Sequence, residues 1–237
     1  MKDTAMPWKT AYRSLYYQGA PEPEDPELLH HETALLTIDI QNEYMDRPTR
    51  SSLSTDEQAT YDLWSPFHDR MHSTVIPTTQ KLLRACRNSD VETMFARIAC
   101  LKSDGRDRSL SQKKPGWNYL LMPHKTHSSQ FIDELSAEDE EIVVCKTTDS
   151  ALTGTNLRLV LQNMGIKNVI VAGIFTDQCV SSTVRSLADE SFNVIVVEDC
   201  CAAGDHELHD KELEVINMIY CHVMSCEELA GLMGLSL

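Results

Sequence analysis

The chain has 237 residues, 42% of them hydrophobic and 24% charged, which is enough for one large α/β domain but not for two. Its 36 acidic and 21 basic residues give a net charge of −15, which argues against nucleic acid or an anionic membrane as a partner. No apolar run approaches the roughly 20 residues of a membrane span, and the first residues contain no signal-peptide core, so we expect a cytoplasmic protein.

Residues 1–32 predict an N-terminal arm. They include four prolines, Trp8 and three tyrosines, a composition that interrupts regular structure and supplies aromatic side chains for packing. We expect this arm to pack on the domain formed by residues 33–237 or on a partner subunit.

Short apolar runs alternate with helical patterns through the rest of the chain. The runs that predict strands are 34–39, 91–97, 141–146, 168–173, 193–199 and 222–225. Apolar residues at helical spacing predict helices over 74–87, 155–164, 180–190 and 206–220. This alternation is typical of a three-layer α/β/α, Rossmann-like fold, with a parallel sheet covered by helices on both faces.

The eight cysteines contain no CxxC pair, which argues against a structural zinc site. A disulfide framework is typical of small secreted chains, which this is not. Most of these thiols are therefore predicted to be reduced core residues.

Three residues with chemically useful side chains follow predicted strands. Asp39 and Lys146 end the first and third strands, and Cys179 lies where the fourth strand leads into a helix. Ligands of open α/β sheets bind at the carboxyl ends of the strands, so the three residues are expected to meet there. A helix N-terminus would lower the pKa of the Cys179 thiol, and the carboxylate and ammonium would complete a nucleophilic unit. Each residue alone also has an ordinary structural interpretation. Cys179 could be a core cysteine, Asp39 could cap a turn, and Lys146 could be a solvated strand end.

Three motifs in the same order make the chain resemble the isochorismatase-like cysteine hydrolase superfamily. They are TIDIQNEYMD around Asp39, CKTTDSALTGTNL from Cys145, and GIFTDQCVSSTVRSLADE around Cys179. The resemblance implies a six-stranded parallel sheet and an Asp39, Lys146 and Cys179 catalytic triad. It also implies a cis peptide bond before Phe175, with the N–H groups of Phe175 and Cys179 forming an oxyanion hole.

The presence of Cys179 favours the amidohydrolase branch, because isochorismatases proper cleave a vinyl ether without this cysteine. Nicotinamidases in the same superfamily bind a metal through an Asp-x-His motif that is missing here, and His124 and His127 would supply an incomplete set. We therefore expect neither a metal nor another cofactor.

The segment 98–130 is long for a connection inside a domain, and it is rich in Lys and Arg. One of Arg97, Arg106 and Arg108 is expected to bind a substrate carboxylate, although a solvated loop is an equal alternative for each of them. Further candidates for substrate contact are Gln41, Tyr44, Trp117 and Tyr119, and a core role remains open for the aromatic residues.

The predicted substrate is a small amide or ureido compound, of the kind cleaved by ureidoacrylate, N-carbamoylsarcosine, biuret or maleamate hydrolases. The predicted reaction proceeds through an acyl-enzyme and releases ammonia. An isochorismatase-type ether hydrolase and a non-catalytic binding protein on the same fold remain alternatives. The resemblance also implies a homo-oligomer, either a dimer or a tetramer.

Overall fold

A single sheet of six parallel strands organises the computed structural model, which describes residues 8–117 and 121–237. The strand order is β3-β2-β1-β4-β5-β6. The strands are β1 (Thr33–Ile38), β2 (Glu92–Ile98), β3 (Ile142–Lys146), β4 (Asn168–Ile174), β5 (Asn193–Ala202) and β6 (His222–Met224). All six were predicted. The largest boundary difference is in β5, which extends to Ala202 because a register shift near Gly173 lets its end pair with the end of β4.

Eight α-helices are found in the described part of the chain. They are α1 (Asn42–Met45), α2 (Thr55–Leu63), α3 (Ser65–Arg70), α4 (Ile76–Arg87), α5 (Leu157–Asn163), α6 (Ser181–Asp189), α7 (His206–Ile216) and α8 (Cys226–Met233). A π-helical segment, Met71–Val75, joins α3 to α4, so the predicted helix over 74–87 is the second half of a longer helical run. Helices α1, α2, α3 and α8 were not predicted. None of the described helices is long and apolar enough to cross a membrane.

Alternate residues of the strands face two separate cores, which confirms the three-layer architecture. Leu35 of β1 belongs to the core that contains Leu82 of α4 and Leu229 of α8. The next residue, Leu36, belongs to the opposite core, with Val184 of α6 and residues of α5 and α7. Burial of the sheet on both faces explains why its strands appear in the sequence as continuous apolar runs.

Gly173 allows β1 and β4 to approach closely at the edge of the sheet where the polar strand ends lie. Its φ is +127°, and a Cβ atom built there would lie 2.0 Å from the Ile38 carbonyl oxygen. No other residue type fits at this contact without a shift of the backbone.

The described part of the arm packs on its own chain. Trp8 is buried, its backbone N–H donates to the Glu228 carboxylate at 2.8 Å, and its ring meets His222 edge to face. Asn217 donates to the carbonyl oxygens of Ala11 and Tyr12. Asn217 is the first residue after α7, so these two hydrogen bonds lie where the helix predicted over 206–220 ends early.

Candidate active site

Three strands place the predicted triad residues at one edge of the sheet. Asp39 follows β1 directly, Lys146 ends β3, and β4 runs into the turn that carries Cys179. All six strands are parallel, so their carboxyl ends share this edge. The structure therefore brings together three residues that are far apart in the sequence.

Asp39 and Lys146 form a buried ion pair. The Lys146 Nζ donates to the Asp39 Oδ2 at 2.6 Å, and the side chains are 0% and 2% exposed respectively. The other carboxylate oxygen, Oδ1, accepts the Ile98 N–H at 2.7 Å. Removal of either partner would leave an uncompensated buried charge, so the two groups depend on each other.

The thiol of Cys179 lies on the other side of the same ammonium group. Its Sγ is 3.2 Å from the Lys146 Nζ and 3.8 Å from the Oδ1 of Asp149. The residue is 6% exposed, because the sulfur faces a cavity. A sulfur at this position can reach a molecule bound in the cavity, with a carboxylate and an ammonium close by.

The expected lowering of the Cys179 pKa is reversed in the folded protein. Burial, and then the charge of Asp39, raise the pKa of the thiol well above its ordinary value, and Lys146 offsets this only in part. Burial likewise raises the pKa of Asp39. For Lys146, burial opposes the charged form, but Asp39 and Cys179 outweigh it and the pKa is raised. The raised pKa of Cys179 favours a neutral thiol in the resting site, and the raised pKa of Lys146 favours its ammonium form.

The turn that carries the thiol has an unusual backbone. The Ile174–Phe175 peptide bond is cis, as the resemblance implied. A π-helical segment, Thr176–Val180, follows, and the Phe175 carbonyl accepts the N–H groups of Gln178 and Val180. Within the described residues the Phe175 N–H makes no backbone hydrogen bond. An oxyanion hole formed by Phe175 and Cys179 stays a prediction.

A buried histidine connects this turn to two helices behind it. The Arg70 Nη2 lies 2.9 Å from the His209 Nε2, and the His209 Nδ1 lies 2.8 Å from the Thr176 Oγ1. A guanidinium can only donate, so Nε2 accepts and Nδ1 carries the proton that is donated to Thr176. Burial lowers the pKa of His209, which agrees with a neutral ring. The ring therefore holds the start of the turn in place.

A cavity of ≈ 340 Å³ opens above the sulfur, a size that suits a small organic molecule. Phe175 forms part of its wall and packs edge to face on Tyr44, with the ring centroids 5.4 Å apart. Trp117 also lines the cavity, but it is 71% exposed and lies under the ammonium of Lys114. Tyr119 lies outside the described residues.

The three candidate arginines occupy different places. Arg108 is 6% exposed and lines the cavity. Arg97 is directed away from it, and its Nη1 donates to the carbonyl oxygens of His124 and Ser129. Arg106 is 70% exposed and pairs with the neighbouring Asp104. Two of the three candidates are therefore surface or loop-anchoring residues.

Gln41 is buried, but its side chain is used by the protein backbone. Its Nε2 donates to the carbonyl oxygens of Ile98 and Ser129, and its Oε1 accepts the Ile98 N–H. It does not line the cavity. Gln41 thus anchors β2 and the following loop instead of facing a ligand.

Besides two isoleucines, four residues that line the cavity were missed by the sequence reasoning: Trp64, Gln112, Asp149 and Gln178. Gln178 and Asp149 have a weak signal, because they lie one and three residues from Cys179 and Lys146. Trp64 and Gln112 reach the site from segments with no strand-end pattern, so nothing in the sequence marks them.

The two loop histidines do not form a metal site. The His127 Nε2 lies 3.3 Å from the Asp46 carboxylate, whereas His124 contacts the Cys100 carbonyl. Across the described residues, no group of three or more His, Cys, Asp or Glu side chains is arranged to hold a metal ion. The expectation that no metal is used stays a prediction.

Comparisons with known proteins agree with this geometry. The chain is 35% identical over 95 residues to the uncharacterized isochorismatase family protein YecD of Escherichia coli O157:H7, a match that covers 40% of this chain and 50% of YecD. It is 27% identical over 212 residues to the ureidoacrylate amidohydrolase RutB of Acinetobacter baylyi, covering 79% of this chain and 78% of that protein.

A solved structure supports the fold independently. The crystal structure of a cysteine hydrolase from Pseudomonas syringae pv. phaseolicola superimposes with a TM-score of 0.72 at 20% identity, covering 90% of this chain and 97% of the other. The model of the isochorismatase domain matches residues 33–228, which include all six strands and the three triad positions. The chain therefore belongs to the isochorismatase family of hydrolases.

Proposed function

We propose that this protein is a cysteine-dependent amidohydrolase that cleaves a C–N bond of a small amide or ureido compound bearing a carboxylate. One observation carries the proposal: a single ammonium group, Lys146 Nζ, lies 2.6 Å from a buried carboxylate and 3.2 Å from a thiol that faces a cavity. This arrangement provides a nucleophile, a proton acceptor and a charge that holds them together.

In the first step the Cys179 sulfur attacks the substrate carbonyl carbon. The thiol proton passes to the Asp39 carboxylate as the carbon–sulfur bond forms, and the carbonyl oxygen becomes an oxyanion. The N–H groups of Phe175 and Cys179 are the proposed donors to that oxyanion. Lys146 keeps its proton and stabilises the negative charge as it moves between sulfur and carboxylate.

In the second step the carbon–nitrogen bond breaks. The proton on Asp39 is transferred to the leaving nitrogen, ammonia departs, and a thioester to Cys179 remains. Water then attacks the thioester carbonyl while Asp39 takes one of its protons. The carbon–sulfur bond breaks, the proton returns to the sulfur, and the acid product leaves.

The size and charge of the cavity support the proposed substrate class. A volume of ≈ 340 Å³ suits a molecule of a few carbon and nitrogen atoms. The guanidinium of Arg108 in its wall is suited to a carboxylate, because its parallel N–H groups match the two oxygens. RutB, a relative that matches over most of its length, is a ureidoacrylate amidohydrolase.

A substrate panel tests the proposal directly. Purified protein is incubated with primary amides and ureido acids, and ammonia is measured, while pyruvate is measured with isochorismate. Cys179→Ala is the control for dependence on the thiol. We expect ammonia release from at least one amide and none from the Cys179→Ala variant.

Two results would contradict it. Pyruvate release without ammonia release would identify an ether hydrolase. Binding of panel compounds without turnover of any of them would identify a non-catalytic protein on this fold.

The assembly and location of the protein are also proposals. We propose a cytoplasmic homo-oligomer, either a dimer or a tetramer. Light scattering on the full chain tests the first point, and a monomeric mass would contradict it.

A further inference from the structure

A second carboxylate faces the thiol. The Oδ1 of Asp149 lies 3.8 Å from the Cys179 Sγ, and Asp149 lines the cavity. Asp39 also lines the cavity, but one of its oxygens accepts from the Lys146 ammonium and the other from the Ile98 N–H. The two carboxylates therefore have different surroundings, and the proposed mechanism gives no task to Asp149.

Two buried side chains hold Asp149 in position. The Gln112 Nε2 donates to the Asp149 Oδ1, and the Gln112 Oε1 accepts from the Arg108 Nη2. Gln112 and Arg108 are 5% and 6% exposed. Because an arginine can only donate, the orientation of the Gln112 amide is fixed, and its NH₂ group must point at Asp149. The chain Arg108, Gln112, Asp149 thus brings a fixed carboxylate to the reacting sulfur.

This carboxylate has capacity for a further donor. Its Oδ2 makes no hydrogen bond to any described residue, and no Lys, Arg or His within the described ranges forms an ion pair with it. An ionised carboxylate only accepts hydrogen bonds. A bound molecule would therefore be favoured if it presented an N–H group here, and disfavoured if it presented an oxygen or a negative charge.

We propose that Asp149 is a specificity-determining residue, which accepts a hydrogen bond from the N–H of the scissile nitrogen and so selects amide and ureido substrates over esters of the same acid. This inference rests on the proposed amidohydrolase function. It also assigns the orientation of the substrate: the nitrogen of the scissile bond lies toward Asp149, and the carboxylate of the substrate lies toward Arg108.

A matched pair of substrates tests the assignment. One is a primary amide and the other is the methyl ester of the same acid, so that both give the same acyl-enzyme and differ only at the leaving group. The value of kcat/KM is measured for both in wild type, in Asp149→Asn and in the control Asp104→Asn, which changes an exposed carboxylate of the neighbouring loop. A hydrogen bond to a charged group predicts a loss of about 10- to 100-fold for the amide in Asp149→Asn. The ester should change by less than about threefold, and the control should leave both unchanged.

A measurement without substrate gives a second readout. Removal of a negative charge 3.8 Å from the sulfur should ease ionisation of the thiol, so iodoacetamide should modify Cys179 faster in Asp149→Asn than in wild type at the same pH. Asp149→Ser serves as a second variant if the Asn variant melts at a lower temperature.

Three outcomes separate the possibilities. Equal losses on amide and ester, or no loss on either, would overturn the role of Asp149 while Cys179-dependent amide turnover in wild type still supported the proposed function. An unchanged rate of alkylation would contradict the placement of the charge beside the thiol. A wild type that hydrolyses the ester and no amide would overturn the proposed function, and this selection with it.

Discussion

The inner and outer sides of the cavity are built in different ways. The inner side consists of the ends of β1, β3 and β4, where Asp39, Lys146 and Cys179 are at most 6% exposed. The outer side comes largely from loops, where exposure ranges from 5% at Gln112 to 71% at Trp117. The proposed reactive groups thus lie where the sheet holds the backbone, and the proposed substrate contacts come from segments that can vary without disturbing the sheet.

The largest expected effect is on the inner side. Cys179→Ala should abolish amide turnover, a loss of about 10⁴-fold or more, because no other group can form the acyl-enzyme. The measurement is ammonia release, with thermal melting to show that the fold is intact. The matched control is Cys145→Ala, since Cys145 lies on the same strand end as Lys146 but its side chain points to the opposite face. Equal loss in both variants would mean that Cys179 is a structural residue.

The ion pair on the inner side should act as one unit with the thiol. Asp39→Asn and Lys146→Met are each expected to lower kcat by about 10³-fold, and the double variant should be little worse than either single one. Kinetics of all three variants test this.

The control is an exposed pair, Arg50 and Asp62, whose side chains are about half exposed. Arg50→Met and Asp62→Asn should leave kcat unchanged. Modest effects that multiply in the Asp39 and Lys146 double variant would contradict a shared role.

Two glycines extend the comparison to stability. Gly173→Ala should destabilise the protein by about 3 kcal/mol or more, because the added methyl group would overlap the Ile38 carbonyl. Gly116 in the outer loop also has a positive φ, +77°, but open space around it, so Gly116→Ala should cost only about 1–2 kcal/mol of backbone strain. Urea unfolding measures the free energy of unfolding of both variants. Equal losses would show that the close approach of β1 and β4 does not contribute to the stability of the protein.

The outer side is tested by two arginines. Arg108→Ala should lower kcat/KM for a carboxylated amide by about 30-fold to several hundred-fold, because it removes a buried guanidinium that can bind the carboxylate. Arg106→Ala removes an exposed guanidinium and should change kcat/KM by less than about twofold. A neutral isostere assayed in parallel should lose less than the carboxylated amide in Arg108→Ala, where only the support of Gln112 and Asp149 is lost, and should be insensitive to Arg106→Ala. If the wild type already prefers the isostere, the substrate is uncharged.

The smallest expected effect is a change with pH, of about tenfold in kcat/KM for each pH unit on the acid side. Burial raises the pKa of Asp39 above its ordinary value of 3.8. The ionised carboxylate is the proposed proton acceptor, so activity should be complete above this raised pKa and should fall as the pH drops through it. The pH profile of kcat/KM measures this. An acid limb below pH 3.8, or the same limb in Asp39→Asn, would remove Asp39 from that role.

Local sequence pattern was enough to predict the sheet and the meeting of Asp39, Lys146 and Cys179 at one of its edges. Strands buried on both faces appear as apolar runs, and Asp39, Lys146 and Cys179 follow those runs directly, so their positions come from local pattern and from the common direction of parallel strands. The cis peptide bond before Phe175 was also predicted, but only from resemblance to a family.

The positions of the other side chains depend on contacts between distant segments. Arg97, Arg106 and Arg108 belong to the same basic stretch, yet only Arg108 among them lines the cavity, because the loop path and its partners direct each one. Gln41 was drawn into backbone hydrogen bonds, and Asp149 was placed beside the thiol by Gln112. The pKa of Cys179 was shifted upward instead of downward for the same reason. Contacts between distant segments, and the burial that they produce, leave no periodic trace in the sequence, and they set both the direction of a side chain and the charge it carries.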